Sequence, residues 1–419
     1  MVFGLYDIRG VYGKDLTDDF IYKIGLAIGK FFENEETIGI IRDVRPHSIK
    51  IKDIIVNALL HTHNVLDFGI GSTPEAHYLA KVYTIPLLVI TASHNPIEYN
   101  GIKIIKNNGD DLNPNEINKI KEYTFNVSKP NEKVGKYEEE NGIEIYKWYL
   151  RKKFKNIKGY RIGYNPMNSV MSLFKDVLLD LGNEVYSIND KLKLETLNHP
   201  PDPSVEENLI DIKNLVINKK LDFGFAFDGD GDRIAIIDNN GKVFPIYTYP
   251  LIFKEKKIVL EVSLPIFLRK EIKDHILSRT GRIFVREKCK EYRAFMGVEY
   301  SGHIFFSEND YIDDGLFAGL RLIKELKEKN IWFNNIKLPE FEYKIINKEN
   351  GGDLIEKFKK YFENKGVYIH NMNGELDGIE IIKEDYYRIL IRKSQTENKY
   401  RIIMDIYKKD GTIENLEIF

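Results

Sequence analysis

Short apolar segments alternate with amphipathic stretches through most of this chain, and this alternation restricts the possible folds more than any other sequence feature. Short runs bounded by turn-forming residues are typical of strands, whereas apolar residues three or four positions apart are typical of helices. The alternation predicts βαβ units around a largely parallel sheet. The first predicted strands are TIGII (37–41), NVLDFGI (64–70), IPLLVI (85–90) and GIKIIK (101–106).

Helices are predicted between these strands, and the same rhythm continues after them. Residues 18–32 and 48–60 form the first two predicted helices, and Thr17 or Asp18 is a suitable N-cap for the first. Later helices are predicted at 170–182, 205–218, 315–328 and 353–366. Later strands are predicted at YRIGYN (160–165), EVYSI (184–188), LDFGFAF (221–227), KIVLEV (257–262), RIFV (282–285), YYRILIRK (386–393) and YRIIMDIY (400–407).

The length of the chain, 419 residues, exceeds what one compact domain usually holds, so two to four domains are expected. Hydrophobic residues make up 43% of the chain, which is enough for several packed cores. The strand and helix pattern is interrupted at SKPNEKVGKYEEENG (128–142), a charged segment without periodicity. We interpret this segment as a surface connection between domains.

The charge balance and the single cysteine exclude several classes of protein. Lys and Arg total 62 and Asp and Glu total 64, which argues against binding driven by the phosphates of a nucleic acid. One cysteine, Cys289, rules out a disulfide framework or a cysteine zinc site within the chain. The N-terminus carries Asp7 and Arg9, unlike a signal peptide, and no apolar run has the length of a membrane span. A soluble cytoplasmic protein is therefore expected.

The segment DGDGDR, between two apolar strands, alternates glycines with three aspartates: Asp228, Asp230 and Asp232. Their carboxylates converge only if the backbone curls around one point, and converging charges call for a hard divalent cation. An EF-hand is excluded because its sixth and twelfth positions hold Arg233 and Asn239 instead of Gly and Glu. A cation together with the Arg233 guanidinium predicts affinity for phosphate.

The segment TASHNPIEYNGIK (91–103) turns abruptly polar after a predicted buried strand. Asn-Pro and Asn-Gly are ordinary turn chemistry, but Ser93 and Lys103 are candidate catalytic residues. A serine-hydrolase elbow is excluded because Thr91 and Asn95 occupy its glycine positions. A serine that carries a phosphoryl group beside a metal ion remains compatible with this loop.

Two further polar segments are candidates for ligand binding. In GVEYSGH (297–303), Glu299, Ser301 and His303 alternate, which predicts one face of an extended segment, suited to the hydroxyl groups of a sugar. In the predicted loop between the last two strands, three side chains can donate to phosphate oxygens: Arg392, Ser394 and Thr396. By contrast, GIGSTP (69–74) lacks the last glycine of a dinucleotide fingerprint, and no Walker A motif supports the use of ATP.

Together these segments resemble the motifs of the α-D-phosphohexomutase family, most closely its phosphomannomutase/phosphoglucomutase branch. TASHNPIEYNGIK resembles the phosphoserine loop of that family, DGDGDR its magnesium loop, GVEYSGH its sugar loop and RKSQTEN its C-terminal phosphate-binding loop. GLYDIRG at the N-terminus and HPPDPSVEENL before the metal loop also fit. The motifs follow the family's order, and the resemblance spans nearly all 419 residues.

The resemblance implies an α/β fold with a heart-shaped, four-domain architecture. Three topologically similar α/β domains with mixed sheets would be followed by a C-terminal α+β domain. The expected domains, each with one motif, are 1–140 (phosphoserine loop), 141–243 (metal loop), 244–336 (sugar loop) and 337–419 (phosphate-binding loop).

The resemblance also implies an isomerase that interconverts hexose 1-phosphate and hexose 6-phosphate, of glucose, mannose or both. It would be a phosphoprotein, with phosphorylated Ser93, a hexose 1,6-bisphosphate intermediate and activator, and Mg²⁺. The implied metal ligands are Ser93, Asp228, Asp230 and Asp232. The implied catalytic residues are Ser93, His94, Lys103, Arg9 and His303, with Lys103 and His303 as alternative proton carriers. The implied substrate-binding residues are Arg233, Glu299, Ser301, His303, Arg392, Ser394, Gln395 and Thr396.

Three other functions are weighed against this one. A phosphoglucosamine mutase is the main alternative, because the motifs do not fix the choice of sugar. A non-catalytic sugar-phosphate-binding relative is suggested by the C-terminal loop, where Lys393, Gln395 and Asn398 replace Pro, Gly and Pro of the family. A hydrolase with Asp228 as nucleophile would not need the Ser93 loop. The expected partner is a small sugar phosphate, with no nucleic acid or membrane, and the protein is expected to be a monomer or a homodimer.

Overall fold

The computed structural model describes residues 2–128, 132, 134–349, 353–372, 378–393 and 399–408. Contacts divide the chain into two compact units. The first unit comprises Met1–Ile246 and Ser301–Phe333, and the second comprises Tyr247–Tyr300 and Asn334–Phe419. The division into four domains, with limits after residues 140, 243 and 336, stays a prediction.

The N-terminal part of the first unit is a six-stranded mixed sheet covered by helices. Its strands are β1 (Asp7–Val11), β2 (Thr37–Arg42), β3 (Asn64–Ile70), β4 (Leu87–Ile90), β5 (Tyr99–Ile105) and β6 (Tyr137–Glu139). Its helices are α1 (Asp18–Phe31), α2 (Ser48–Leu59), α3 (Thr73–Tyr83), α4 (Pro114–Asn126) and α5 (Gly142–Lys153). The strand order is β1-β5-β4-β2-β3-β6, with β5 antiparallel to both β1 and β4.

Successive residues of the central strands of this sheet are buried on opposite faces. Leu88 and Ile90 on β4 belong to the core formed with α1, α2 and α4, whereas Leu87 and Val89 belong to the core formed with α3. Burial on both faces explains why the strand appears in the sequence as a continuous apolar run. The predicted N-cap of α1 is Thr17, whose side chain accepts a hydrogen bond from Phe20 N at 3.3 Å.

The next part of the first unit is a five-stranded mixed sheet. Its strands are β7 (Arg161–Asn165), β8 (Glu184–Ser187), β9 (Phe223–Phe227), β10 (Ile234–Asp238) and β11 (Val243–Phe244), in the order β11-β10-β9-β7-β8. Its helices are α6 (Lys175–Asp180) and α7 (Ile210–Lys219), with 3₁₀ turns at Val170–Phe174, Leu194–Thr196 and Glu206–Leu209. The helices predicted at 170–182 and 205–218 therefore begin as 3₁₀ turns. Strands β9 and β10 form an antiparallel hairpin, whose loop is DGDGDR.

The third stretch of chain contains a predicted helix that is confirmed and a predicted strand that is wrong. Its elements are α8 (Tyr249–Ile252), β12 (Ile258–Glu261), α9 (Phe267–Glu271), β13 (His275–Ser278), α10 (Arg282–Glu291), β14 (Met296–Val298), β15 (Ile304–Phe306) and α11 (Gly315–Glu328). The 3₁₀ turns lie at Ile246–Thr248, Ser307–Asn309 and Phe333–Asn335. The helix predicted at 315–328 is confirmed as α11. The strand predicted at RIFV (282–285) is wrong, because these residues begin α10. In the second unit, β12 lies parallel between β13 and β14.

The C-terminal part of the second unit is an antiparallel sheet with one described helix. Its elements are β16 (Glu342–Glu349), α12 (Leu354–Phe362), β17 (Tyr368–Asn371), β18 (Gly378–Lys383), β19 (Tyr387–Lys393) and β20 (Lys399–Ile406), with strand order β16-β20-β19-β18-β17. The two predicted C-terminal strands correspond to β19 and β20. Among the helices that the structure describes, none combines the length and apolarity needed to cross a membrane.

Buried charges join the C-terminal sheet to the loop and helix after β12 within the second unit. Arg388 is fully buried, and its Nε lies 3.1 Å from Asp405 Oδ2, while its Nη1 donates to Val262 O at 2.8 Å. Arg269 makes two hydrogen bonds, of 2.9 and 2.8 Å, to the carboxylate of Glu380. Each buried charge therefore has a partner of opposite sign, which offsets the cost of its desolvation.

Candidate active site

Two loops of the first unit meet at the candidate site. Ser93 lies in the loop after β4, and Asp228 lies directly after β9. The Ser93 hydroxyl donates a hydrogen bond of 2.6 Å to Asp228 Oδ2, and Ser93 is 2% exposed. A Cβ built on Gly229 would lie 2.3 Å from Ser93 O, so only glycine permits this approach of the two backbones.

The three aspartates of DGDGDR converge as predicted from their spacing. One oxygen from each of Asp228, Asp230 and Asp232 lies within 4.8 Å of the others, and all three residues are buried. Burial and the neighbouring Asp232 and Asp230 raise the pKa of Asp228 well above its usual range. Gly231, with a φ of 80°, turns the backbone so that the carboxylates face one point.

This set of oxygens fits a hard divalent cation. The ligands are carboxylate oxygens with the Ser93 hydroxyl beside them, the oxygen ligands that Mg²⁺ and Ca²⁺ prefer. Asp230 Oδ1 is buried and accepts no hydrogen bond from the described residues. Leaving a buried carboxylate oxygen unpaired is costly, and a bound cation removes that cost.

Three cationic side chains surround these carboxylates and the Ser93 loop. Lys103, on β5, donates to Asp230 Oδ2 at 2.6 Å and to Asp232 Oδ2 at 2.7 Å. Arg233 Nε lies 3.5 Å from Asp228 Oδ2, and its Nη2 lies 3.5 Å from Ser93 Oγ. Arg9, on β1, binds Asn95 Oδ1 at 2.8 Å and pairs with Asp7 at 2.7 Å.

Arg233 carries a positive charge in this region, whereas His94 is neutral. Burial opposes the charge of Arg233, but Asp228 and Asp232 outweigh it and raise its pKa. Burial, Arg233 and Arg9 together hold the pKa of His94 far below its usual range, so this imidazole is neutral. His94 Nδ1 contacts Arg233 Nη2 and lies 3.2 Å from Ser93 Oγ. The neutral His94 therefore accepts a hydrogen bond from Arg233 and helps to orient it.

His303 approaches the acidic loop from β15. Its backbone forms an isolated bridge with Arg233, and its Nδ1 lies 3.0 Å from Asp313 Oδ2 and 3.8 Å from Asp232 Oδ1. The chain does not run straight through GVEYSGH: it turns at residues 300–302, with a φ of 102° at Gly302. The expectation that Glu299, Ser301 and His303 share one face of an extended segment is therefore wrong.

The remaining predicted residues are distributed between the two units. Ser301 belongs to the first unit, and its buried Oγ has no hydrogen-bond partner among the described residues. Glu299 and Arg392 belong to the second unit. Glu299 accepts a hydrogen bond of 3.1 Å from Gly281 N at the start of α10, and burial lowers the pKa of Arg392. Ser394, Gln395 and Thr396 lie outside the described residues.

Two residues of the site were missed by the sequence reasoning. Thr73, the first residue of α3, donates to Asp230 Oδ2 at 2.5 Å through its hydroxyl and to Asp230 O at 2.9 Å through its N–H. Thr73 belongs to GIGSTP, a segment whose only recognised pattern is an incomplete dinucleotide fingerprint. Arg45 is buried under the Ser93 loop and donates to its carbonyl oxygens. The available signal was a pair of charges, Asp43 and Arg45, directly after an apolar strand.

Comparison with known proteins decides the family. Models of the phosphoglucomutase/phosphomannomutase α/β/α domains I, II and III match residues 1–131, 144–241 and 255–337. The chain is 31% identical to a phosphomannomutase of Methanocaldococcus jannaschii, covering 100% of this chain and 96% of that protein. The chain belongs to the α-D-phosphohexomutase family. As a phosphohexomutase it is an enzyme of the isomerase class.

Other relatives of this phosphohexomutase carry different substrate names. A phosphoglucosamine mutase of Dictyoglomus turgidum is 32% identical over 96% of this chain and 93% of that protein. A phosphoglucomutase of Neisseria gonorrhoeae is 30% identical over 87% of this chain and 85% of that protein. Because the identities are nearly equal, they establish the family and leave the preferred sugar open.

Solved structures share the fold of this phosphohexomutase. A phosphoglucomutase/phosphomannomutase family protein of Burkholderia thailandensis superposes with a TM-score of 0.88 at 24% identity, covering 100% of this chain and 95% of that one. The chain has three α/β domains with mixed sheets, each matched by a family model, and a further C-terminal sheet domain. The predicted fold class is therefore confirmed.

Proposed function

We propose that this phosphohexomutase interconverts hexose 1-phosphate and hexose 6-phosphate, of glucose, mannose or both, through a phosphorylated Ser93. The observation that carries the proposal is the 2.6 Å contact between the buried Ser93 hydroxyl and Asp228 Oδ2, inside a group of three aspartates. A serine ester in this position would have its phosphoryl group next to a divalent cation and to Arg233. These are the groups that stabilise a transferring phosphoryl group.

In the proposed reaction two different phosphoryl groups are transferred, one after the other. A hydroxyl oxygen of the bound sugar forms a bond to phosphorus while the bond from phosphorus to Ser93 Oγ breaks, which gives a hexose 1,6-bisphosphate. The bisphosphate then turns around, and Ser93 Oγ forms a bond to the phosphorus at the other end while the bond from that phosphorus to the sugar oxygen breaks. Hexose 1,6-bisphosphate is thus both the intermediate and the activator that phosphorylates unmodified Ser93.

We propose Mg²⁺ as the cation, with Asp228, Asp230, Asp232 and a Ser93 oxygen as its ligands. Bound Mg²⁺ would supply positive charge to the phosphoryl oxygens during transfer. A distant relative, the N-acetylphosphoglucosamine mutase of Aspergillus fumigatus, was solved with GlcNAc-6P and magnesium, which supports this choice. Lys103 keeps the outer oxygens of Asp230 and Asp232 in place, at 2.6 and 2.7 Å.

His303 is the better candidate for the proton carrier. The Lys103 ammonium is bound by two carboxylates, so its protons are engaged in these contacts. His303 instead has Asp313 at its Nδ1, 3.0 Å away, which leaves Nε2 to exchange a proton with the sugar hydroxyl. An imidazole with a carboxylate beside one of its nitrogens is a common general acid or base.

We propose that the remaining predicted residues bind the substrate. Glu299 and Ser301 would bind sugar hydroxyl groups that both orientations present. Arg392, with the loop residues Ser394, Gln395 and Thr396, would bind the phosphate that is not transferred. Arg9, on β1, would assist through its charge, and His94, in the Ser93 loop, would assist through its contact with Arg233.

A second candidate differs in the sugar alone. The phosphoglucosamine mutase of Dictyoglomus turgidum is as similar to this chain as the named phosphomannomutase is, at 32% against 31% identity. This supports glucosamine 1-phosphate as an alternative substrate. The reaction at Ser93 and the metal would be the same.

A direct assay tests the proposal and separates the candidates. Purified protein with Mg²⁺ and a trace of glucose 1,6-bisphosphate is given, in turn, glucose 1-phosphate, mannose 1-phosphate and glucosamine 1-phosphate. Phosphorus NMR then follows each 6-phosphate. We expect the highest kcat/KM with glucose or mannose, and no product from Ser93→Ala. A higher value with glucosamine 1-phosphate selects the alternative, and no product from any of the three contradicts the proposal.

A further inference from the structure

Arg45 is a buried cation that no step of the proposed reaction uses. It follows β2 and is 2% exposed. Its Nη2 donates to Ser93 O at 2.7 Å and to Asn95 O at 2.6 Å, and its Nη1 donates to Pro96 O at 2.7 Å and to Tyr99 O at 3.0 Å. One guanidinium thus binds four backbone carbonyls of the loop that carries Ser93. Only a planar group with several fixed donors can satisfy such a set.

The backbone of Ser93 has a conformation that needs support. Its φ is 50°, in the left-handed region, which is unfavourable for a residue other than glycine. The peptide groups on both sides of Ser93 are fixed: Ser93 N donates to Thr91 Oγ1 at 3.0 Å, and Ser93 O accepts from Arg45. If either contact were lost, rotation toward negative φ would swing the hydroxyl away from Asp228.

Asp43 connects the two supports. Its carboxylate accepts from Arg45 N at 2.9 Å, its Oδ2 lies 3.3 Å from Arg45 Nε, and the Thr91 side chain is close enough to stabilise its charge. Asp43 is 1% exposed, so this group is built into the interior beneath the loop. Its charge compensates that of Arg45, which would otherwise be a single cation in an apolar region.

We propose that Arg45 is a positioning residue for phosphoryl transfer, which with Asp43 and Thr91 holds Ser93 in its left-handed conformation and so aims the hydroxyl at the metal site. The inference rests on the proposed function but makes a separate claim about the loop. Arg45 touches neither substrate nor metal in this scheme. Its loss therefore changes the rate of phosphoryl transfer, while the side chains that bind the sugar phosphate stay in place.

The test compares Arg45→Lys with a matched control, Arg42→Lys. Arg42 lies three residues earlier and donates to Asp43 O at 3.0 Å, but among the described residues its side chain makes no hydrogen bond or ion pair with the Ser93 loop. A lysine at 45 keeps the charge and loses the fork of donors. We expect kcat with glucose 1-phosphate to fall about 100-fold for Arg45→Lys, because a displacement of about 1 Å has that effect on rate. KM should stay within threefold, and the control should match wild type.

Two further measurements keep the inference testable in every outcome. Hydrogen exchange followed by mass spectrometry reads the peptide around residues 91–99 without any assay of activity. Its amides should exchange faster in Arg45→Lys and unchanged in Arg42→Lys, even if the proposed reaction proves wrong. If Arg45→Lys does not fold, Thr91→Val removes only the opposite support and should lower kcat about tenfold at unchanged KM. A folded Arg45→Lys with wild-type kcat and exchange, or an unaffected Thr91→Val, overturns the inference.

Discussion

Replacing Gly229 by alanine tests whether catalysis depends on the close approach of the two loops. A Cβ at this position would lie 2.3 Å from Ser93 O and 3.1 Å from Pro201 Cγ. Nonbonded carbon atoms prefer separations of about 3.5 Å or more, so the loops must move apart by roughly 1 Å. The obstructing atom is a backbone oxygen, which cannot rotate away as the end of a side chain can.

The size of the effect follows from this displacement. Moving a reacting group by about 1 Å costs about 100-fold in rate, or roughly 2.7 kcal/mol in activation free energy. We therefore expect the kcat of Gly229→Ala to fall about 100-fold. KM should change much less, because the alanine methyl lies between the two loops and the predicted sugar-binding residues are elsewhere in the chain. Overpacking of this kind also lowers stability by about 1–3 kcal/mol.

A glycine in the sheet that carries the Gly229 loop serves as control. In Gly163→Ala, on β7, the new Cβ would meet Ile212 Cδ1 at 3.0 Å, the far end of a flexible side chain. Steady-state kinetics and urea unfolding of both variants separate a loss of position from a loss of stability. Gly163→Ala should keep the wild-type kcat, and its loss of stability should be similar to that of Gly229→Ala or smaller. The reasoning fails if Gly229→Ala retains wild-type kcat, or if both variants lose kcat in proportion to stability.

Three other perturbations have defined outcomes. Asp230→Asn removes one proposed ligand charge, so the Mg²⁺ concentration for half-maximal activity should rise at least tenfold, as titration of EDTA-treated enzyme will measure; an unchanged requirement contradicts the ligand assignment. Glu75 is fully buried, and burial raises its pKa from 4.5 to about 8, so wild-type stability should fall as pH rises from about 4.5 through 8. Since each unit is about 1.4 kcal/mol, this loss is bounded near 5 kcal/mol, and Glu75→Gln, which cannot ionise, should lack it in urea unfolding at pH 5 and pH 9. Arg388→Met leaves the buried carboxylate of Asp405 without its cationic partner, although Glu380 keeps Arg269, and should destabilise the protein by about 3–5 kcal/mol in calorimetry; an unchanged unfolding temperature would show that the network contributes nothing.

The parts of the site that the sequence predicted are those where local pattern and chemistry coincide. Asp228, Asp230 and Asp232 lie between two buried strands, and the packing of a hydrophobic core does not require three charged residues there. Their convergence therefore follows from local sequence alone. Lys103 was also recognisable, because its place in the loop motif is distinctive, although its contacts with Asp230 and Asp232 depend on pairing between distant segments.

Other features could not be predicted, for physical reasons that differ from one to the next. Arg45 acts on the Ser93 loop from 48 residues away, and the pair of charges after β2 does not reveal which distant loop it binds. RIFV has four residues, too few to separate the strand period from the helix period, and α10 continues through Glu291. The turn after Glu299 depends on a φ of 102° at Gly302, which alternation of polar residues does not reveal.

The central claim is that Ser93 and the three aspartates form one phosphoryl-transfer site. Its most direct test is to treat the purified protein with glucose 1,6-bisphosphate and Mg²⁺, then to map the modification by intact mass and peptide fragmentation. The account predicts one phosphoryl group per chain, on Ser93, that is removed when glucose 1-phosphate is added. An active enzyme that carries the phosphoryl group on Asp228, or carries none on Ser93 at any stage of turnover, would contradict it.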